Sequence, residues 1–497
     1  MVPFVSRLLR EELGGAALAR AHSPRDVALL VASRFVRMVG FGAVAPLLVL
    51  HLDALGFSHR DAGLFLTLTL LGDVGLSLCI SWVADSAGRR RVLALGSLLM
   101  ACSGFAFYLS RTYLVLLLAA TFGVISPSGN EVGPFSSVEV GILSQLVQPE
   151  DRVFVLMHYQ VLGFVGLALG SVASGSLVTA LERGNSTLES YRFVFGCYGA
   201  IALVKVVLSL AMSPFAELDH PSFPDRRDAV LEDDSDDETL VGTTPTEQSP
   251  LLAVPDRPLA GRTASTTPHV VDPSTKIDVP SPTASSLPLV RLLIVVALFS
   301  VDSFASSLTP ASYVSLYFKS IYHASISLIS TVLAGSALGA VFTSLLAGAL
   351  SKRVGLVLTM VTTHIPAQVL TAAMAYAPTL PSVVGLYIAR TCISSMDSSI
   401  RGALLSAMVN KSSRTRLLGG AFPFPPNFID VELTLLPPRS QVVDVCRTLA
   451  AAPGPFVTGR LISIGKFKWV FVISGAIKVV CASLLLSHVC AADGGER

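Results

Sequence analysis

Twelve apolar runs alternate with short polar connections along this chain, at 27–52, 61–84, 92–110, 113–146, 153–181, 191–213, 287–317, 325–350, 354–376, 382–409, 442–463 and 468–490. Each is long enough to cross roughly 30 Å of hydrocarbon as a helix. The pattern predicts an all-α membrane protein with twelve spans. Runs four and seven exceed what a bilayer needs, so a tilt or a break is expected in each. Run four also holds Pro127, Gly129, Gly133 and Pro134 around Asn130 and Glu131. Two prolines and two glycines loosen the backbone ladder and free carbonyls at membrane depth, which suits a hinge or a binding site.

The first six runs repeat in the second six. Phe35 to Pro46 matches Phe299 to Pro310 at identical spacing, and Ser144 to Arg152 aligns with Ser406 to Arg414. Lys205-Val206-Val207 in run six returns as Lys478-Val479-Val480 in run twelve. Two six-helix bundles about a pseudo-two-fold axis normal to the membrane follow from this. The repeat is interrupted once. Arg152 and Gly175 lie 23 positions apart, whereas their counterparts Arg414 and Gly459 lie 45 apart. The excess is the 22-residue segment Gly420 to Gln441, whose five prolines exclude a helix. Joining Gly419 to Val442 restores the pattern of run five. The segment 420–441 is therefore expected to be a retained intron, with a long cytoplasmic loop as the alternative.

Basic residues orient the chain. Arg89 to Arg91, Lys352, Arg353, Lys411, Arg414 and Arg416 fall in even-to-odd connections, with Arg7, Arg10, Arg20 and Arg25 ahead of run one. Both termini are expected in the cytoplasm, with 1–26 an amphipathic segment, 27–213 and 287–490 the two bundles, and 491–497 a tail. Asn185-Ser186-Thr187 then faces the lumen or exterior, where Asn185 is a candidate glycosylation site. Residues 214–286 are rich in Pro, Ser, Thr and Asp and cannot bury a core, which predicts a disordered cytoplasmic linker. It carries an acidic run, Glu232 to Glu238, around Ser235. It also carries Glu247-Gln248-Ser249-Pro250-Leu251-Leu252, an acidic dileucine pattern that sorting adaptors read; Glu247, Leu251 and Leu252 point to a vacuolar or endosomal membrane, the plasma membrane being the alternative.

Composition narrows the function. Apolar residues are 52% and charged residues 14%, with a net charge of +2, so a nucleic-acid partner is not expected. The seven cysteines lie scattered in apolar runs with no Cys-x-x-Cys, which reads as small buried apolar residues. No phosphate-binding glycine loop, metal-ligand cluster or nucleophile with a base is present, so no ATP-driven pumping, cofactor, metal or catalysis is expected.

The loop Ser81-Trp82-Val83-Ala84-Asp85-Ser86-Ala87-Gly88-Arg89-Arg90-Arg91 joins runs two and three in a tight turn with a carboxylate near a helix end. It resembles the helix two–three loop of the major facilitator superfamily of secondary transporters, with Ser81 where that pattern opens on Gly. A degenerate copy stands at Gly348 to Gly355. A fungal branch of the superfamily, of largely unassigned substrate, is resembled more closely. The carrying residues are Gly123 to Phe135, Thr363-His364-Ile365-Pro366, Ser395-Met396-Asp397 with Arg401, and Gly454 to Gly459. The resemblance implies that helices one, four, seven and ten line a central cavity. It also implies that Asp85, Gly88, Arg89 and Arg90 form a gating motif, with Asp85 approaching the start of helix eleven.

Ionisable residues inside a bilayer are costly. The runs nevertheless contain Arg34, Arg37, Asp73, Glu131, Glu139, Lys205, Asp302, Arg390, Asp397, Arg401, Asp444, Arg447 and Lys478, seven basic against six acidic, so mutual pairing is feasible. Arg34 and Arg37 share a face of helix one and need a partner; Asp302, beside Arg37 in the Phe35/Phe299 register, is one candidate, and a substrate carboxylate or phosphate on the paired guanidinium forks is the other. Glu139 and Arg401 align across the repeat and are placed to face each other; Asp397 and Arg401 share a helix face. The substrate-binding candidates are Arg34, Arg37, Asn130, Glu131, Glu139, Asp302, Asp397 and Arg401, with Glu131, Glu139 and Asp302 as proton carriers. His158 and His364 read as packing or capping residues. The expectation is a secondary transporter, symporter or antiporter, moving a small anionic solute by alternating access and driven by protons. The alternative is a non-transporting receptor or scaffold on the same fold. The partners expected are the lipid bilayer, a small-molecule substrate, protons and a sorting adaptor at the linker.

Overall fold

The computed structural model describes residues 21–123, 125, 134–148, 151–217, 289–354, 356–408 and 439–493, all within one compact unit made of 1–220 and 287–497. The N-terminal segment to residue 20, Asn130, Glu131, the sorting residues Glu247, Leu251 and Leu252, and most of 420–441 lie outside the described residues. The described residues contain helices and no strands.

The first bundle comprises α1 (Pro24–Val44), α2 (Leu48–Ala54), α3 (His59–Ala87), α4 (Arg89–Leu109), α5 (Tyr113–Phe122), α6 (Pro134–Leu146), α7 (Arg152–Leu181) and α8 (Thr187–Leu210). The second comprises α9 (Leu289–Ser307), α10 (Ala311–Tyr322), α11 (Ile326–Val354), α12 (Leu356–Ala373), α13 (Leu380–Met408), α14 (Arg439–Ala451), α15 (Gly454–Ser463) and α16 (Phe467–Asp493). Paired pieces make single spans: α1 with α2, α5 with α6, α9 with α10, and α14 with α15. Two breaks share one cause. Pro46 lies in the turn between α1 and α2, and Pro310 is the residue before α10. They are repeat equivalents, and each removes a donor and crowds the carbonyl one turn back. Twelve spans in two pseudo-symmetric bundles result, and six of the described helical stretches are long and apolar enough to cross a membrane by themselves. Helix α14 starts at Arg439, so the last three residues of the 420–441 segment are helical, which its proline content argued against.

Local signals set the helix starts. Ser23 and Ser58 accept from the backbone N–H groups of Asp26 and Asp61, and Ser186 with Glu189 closes a capping box. Asn185 is exposed in the loop just before it.

The bundles meet at the end of the molecule remote from the Gly88 turn, here called the distal end. The α7–α11 and α3–α15 pairs pack across the divide. A Cβ on Gly175 would lie 2.5 Å from the Cβ of Ser330 and 3.1 Å from the Cα of Ser327. A Cβ on Gly459 would collide with the His59 carbonyl and lie 3.0 Å from the Cα of Gly63. Gly63 and Ser327 are related by the offset that relates Phe35 to Phe299. The glycines Gly175 and Gly459, aligned only when 420–441 is set aside, thus occupy equivalent close contacts. Phe456 N donates to Thr67 Oγ1 (3.2 Å) and Lys319 Nζ to the Tyr191 hydroxyl (2.6 Å), also across the divide. The main buried apolar cluster, including Phe65, Phe107, Phe195, Tyr313, Tyr317 and Phe471, lies toward this end.

At the other end, the motif end, Gly88 adopts φ +92°, a conformation that L side chains rarely take. The turn docks on the start of the linker: Arg89 N donates to the Glu217 carboxylate (2.7 Å), Arg89 Nη1 to Gln145 Oε1 (3.0 Å) and Arg90 Nη1 to the Met212 carbonyl (2.9 Å). Residues Pro214–Ala216 form a 3₁₀ turn there. Asp85 is in the last turns of α3; its side chain lies outside the described residues, as does its expected approach to helix eleven.

Candidate functional site

Four helices of the first bundle converge on one carboxylate. Glu139 of α6 has no exposed surface. It accepts from Arg37 of α1 (2.7 Å), Lys205 of α8 (3.1 Å) and the Tyr159 hydroxyl of α7 (2.6 Å). Arg37 also reaches the Tyr159 hydroxyl at 3.4 Å. One turn earlier on α1, Arg34 donates to Gln160 Oε1 (2.8 Å), and its guanidinium lies over the Tyr159 ring, 4.7 Å from the centroid. The spacing explains the convergence: positions three apart on α1 share a face, and that face packs on α7 and α8. Gly163 leaves room for it, since a Cβ there would lie 2.8 Å from Arg34 Nε. The result is two cations sharing one buried carboxylate with a third one turn away, Arg37 being the more open partner of its pair at 14% side-chain exposure against 0% for Glu139. Such a cluster can exchange its internal carboxylate bonds for those of an incoming anion, and the planar guanidinium fork suits a carboxylate or phosphate.

The second bundle holds a different cluster. Asp302 of α9 and His364 of α12 are both buried and approach at 3.4 Å. Next to Asp302, Ser303 Oγ accepts from Arg447 Nε of α14 at 3.2 Å. Lys478 of α16 is 5% exposed.

The sequence candidates therefore divide. Arg34, Arg37 and Glu139 come together. Asp302 does not join them: Arg37 takes Glu139 as its counter-charge, and the expected Arg37–Asp302 pairing is corrected. The repeat equates positions in separate bundles, whereas these ion pairs form inside one bundle. Asp397 and Arg401 share α13, with side chains outside the described residues, so Arg401 facing Glu139 falls outside as well. Tyr159 and Gln160 carry no sequence signal. Lys205 does carry one, its echo at Lys478, and His364 is a buried partner of Asp302 rather than a packing or capping residue. His51, fully buried between Phe107 and Phe195 (5.9 and 5.0 Å), belongs to the distal core.

Comparison with known proteins bears on the whole chain. The family model of the Major Facilitator Superfamily matches residues 30–422, ending within the 420–441 segment. An uncharacterized membrane protein of Saccharomyces cerevisiae is 30% identical over 473 residues, covering 93% of each chain. The quinolone resistance protein NorA of Staphylococcus aureus is 21% identical over 188 residues, 38% of this chain and 45% of that one. Among solved structures, the partially occluded, inward-open xylose transporter XylE from E. coli superposes with a TM-score of 0.59 at 11% identity, covering 93% of this chain and 99% of that one. At that identity the likeness speaks for the fold.

Proposed function

The chain belongs to the Major Facilitator Superfamily, and from that membership we propose that it carries a small anionic solute across the membrane by alternating access of its two bundles, driven by protons. Membership supports a secondary transporter in a multi-pass membrane setting. The anionic preference rests on one observation: Arg37 and Lys205 share the buried carboxylate of Glu139, with Arg34 one turn away on Gln160 and the Tyr159 ring. Cations at membrane depth are costly, and a bound anion offsets that cost. The substrate displaces Glu139 from Arg37 and takes the guanidinium fork. Closure at the distal end then gives way to closure at the motif end, where the Gly88 turn is docked. The Glu247, Leu251 and Leu252 pattern routes the protein to a vacuolar or endosomal membrane.

The test is the melting temperature of the purified chain in detergent against panels of anionic, neutral and cationic metabolites. Selective stabilisation by one anionic class, lost in Arg37→Gln, is the expected result. Stabilisation by neutral or cationic solutes that survives in Arg37→Gln would overturn the anionic reading.

A further inference from the structure

Each bundle buries a charge cluster, and the two are built on different spans. In the first, Glu139 is flanked by Lys205 on span six and Arg37 on span one. In the second, Asp302 stands beside His364 at 3.4 Å. Lys478, the repeat equivalent of Lys205, is level with both. Ser474 Oγ donates to the Ala305 carbonyl at 2.6 Å, and a Cβ on Gly475 would lie 2.7 Å from the Gln368 carbonyl. One turn from each of these contacts toward the motif end stand Lys478, Asp302 and His364. The chemistry differs in one respect. The guanidinium of Arg37 keeps its proton at every physiological pH, so the first cluster is permanently charged. An imidazole changes charge near neutrality, so the second can take up and release a proton without breaking its bundle.

We infer that His364 with Asp302, the buried pair of α9 and α12, is a proton site of the second bundle. The inference rests on the transporter reading above and assigns its driving ion to a place. Among the described side chains at this depth, the charged groups on the helices packed against α9 and α12 are Lys478 on α16, Arg447 on α14 and Arg390 on α13. Arg447 is engaged by Ser303, and Arg390 lies over Tyr387, 5.9 Å from the centroid. Asp444, Asp397, Arg401, His488 and Asp493 are on the same helices, and Lys352 and Arg353 on α11, all with side chains outside the described residues. Arg460 and Lys468 are exposed at the distal end. Among the described side chains of the cluster, His364 is thus the imidazole, the group type that changes charge near neutrality.

The site is tested on the full chain in nanodiscs, labelled with ¹⁵N-histidine. The chain has nine histidines, and His364→Gln identifies the wanted ring by difference; His364→Asn serves if that variant does not fold. A second measurement follows the thiol accessibility of a single reporter cysteine placed at the distal end, as a function of pH. The expected results are an imidazole that titrates between pH 5 and 8, a midpoint that moves in Asp302→Asn, and a distal accessibility whose pH dependence disappears in His364→Gln. A ring that does not titrate in this range, or a pH dependence retained in His364→Gln, would overturn the inference. Titration and pH-dependent accessibility with no anion stabilising the chain would leave the proton site standing and remove the anionic substrate instead.

Discussion

Glu139→Gln should be the most damaging single conservative change in the membrane core of the first bundle. The native carboxylate is wholly buried and serves Arg37, Lys205 and Tyr159 at 2.7, 3.1 and 2.6 Å. Neutralising it removes the carboxylate that Arg37 and Lys205 share. Removing one partner of a buried ion pair costs about 3–5 kcal/mol. Lys205→Met does the opposite: it deletes a cation and leaves Arg37, Glu139 and Tyr159 bonded to one another. It loses one charge-assisted hydrogen bond, about 1.5–3 kcal/mol, against the relief of no longer burying the ammonium, so a net cost under about 2 kcal/mol is expected. The double variant carries one excess cation fewer than Glu139→Gln alone. It should be the more stable of those two, with a coupling energy of about 1 kcal/mol or more in the double-mutant cycle. Denaturant unfolding of the four proteins in one detergent measures all of this. Equal costs for Lys205→Met and Glu139→Gln, or a double variant that costs the sum of its parts, would refute the shared-carboxylate account.

Three further changes test other parts of the fold. Gly175→Val places side-chain atoms against Ser330 and Ser327; overpacking of about 1–3 kcal/mol should part the bundles at the distal end and raise thiol labelling there, and unchanged labelling would contradict the contact. Gly88→Ala forces an alanine to φ +92° and crowds the Glu217 carboxylate at 3.1 Å; a loss of about 1–3 kcal/mol in thermal or denaturant unfolding is expected, and an unchanged stability would contradict the strained turn. Asp26→Ala removes the acceptor of the Ser213 N–H (2.9 Å) and of the Ser213 and Ser23 hydroxyls; hydrogen exchange should rise at residues 211–217, and an unchanged exchange rate would show the contact to be idle.

Architecture was legible in the sequence because its causes are local or periodic. Apolar runs fix the spans, Pro46 and Pro310 fix two of the breaks, and the repeat places Gly175 and Gly459 in equivalent contacts. In span four α5 ends at Phe122 and α6 is described from Pro134 on, while Pro127, Gly129 and Gly133 lie outside the described residues. The site was legible in part. Arg34, Arg37 and Glu139 stand out because charge in an apolar run is costly, but their partners depend on how each helix is rotated about its own axis. Glu139 and Lys205 are 66 residues apart, and nothing local tells Lys205 to prefer Glu139 over Asp73 or Glu131. Repeat alignment misassigned Asp302 to Arg37 because a two-fold axis relates distant places and joins only residues that lie near it. Tyr159 and Gln160 are ordinary residues for an apolar span, and only their position beside Arg34 and Glu139 gives them a role.

The central claim is tested most directly by uptake into proteoliposomes of the anion that stabilises the purified chain, with a pH gradient imposed across the vesicle. The account predicts that the gradient drives accumulation above the external concentration, that collapsing it with a protonophore abolishes accumulation, and that Arg37→Gln removes uptake while the protein stays folded. Full uptake by Arg37→Gln, or accumulation indifferent to the gradient, would contradict it.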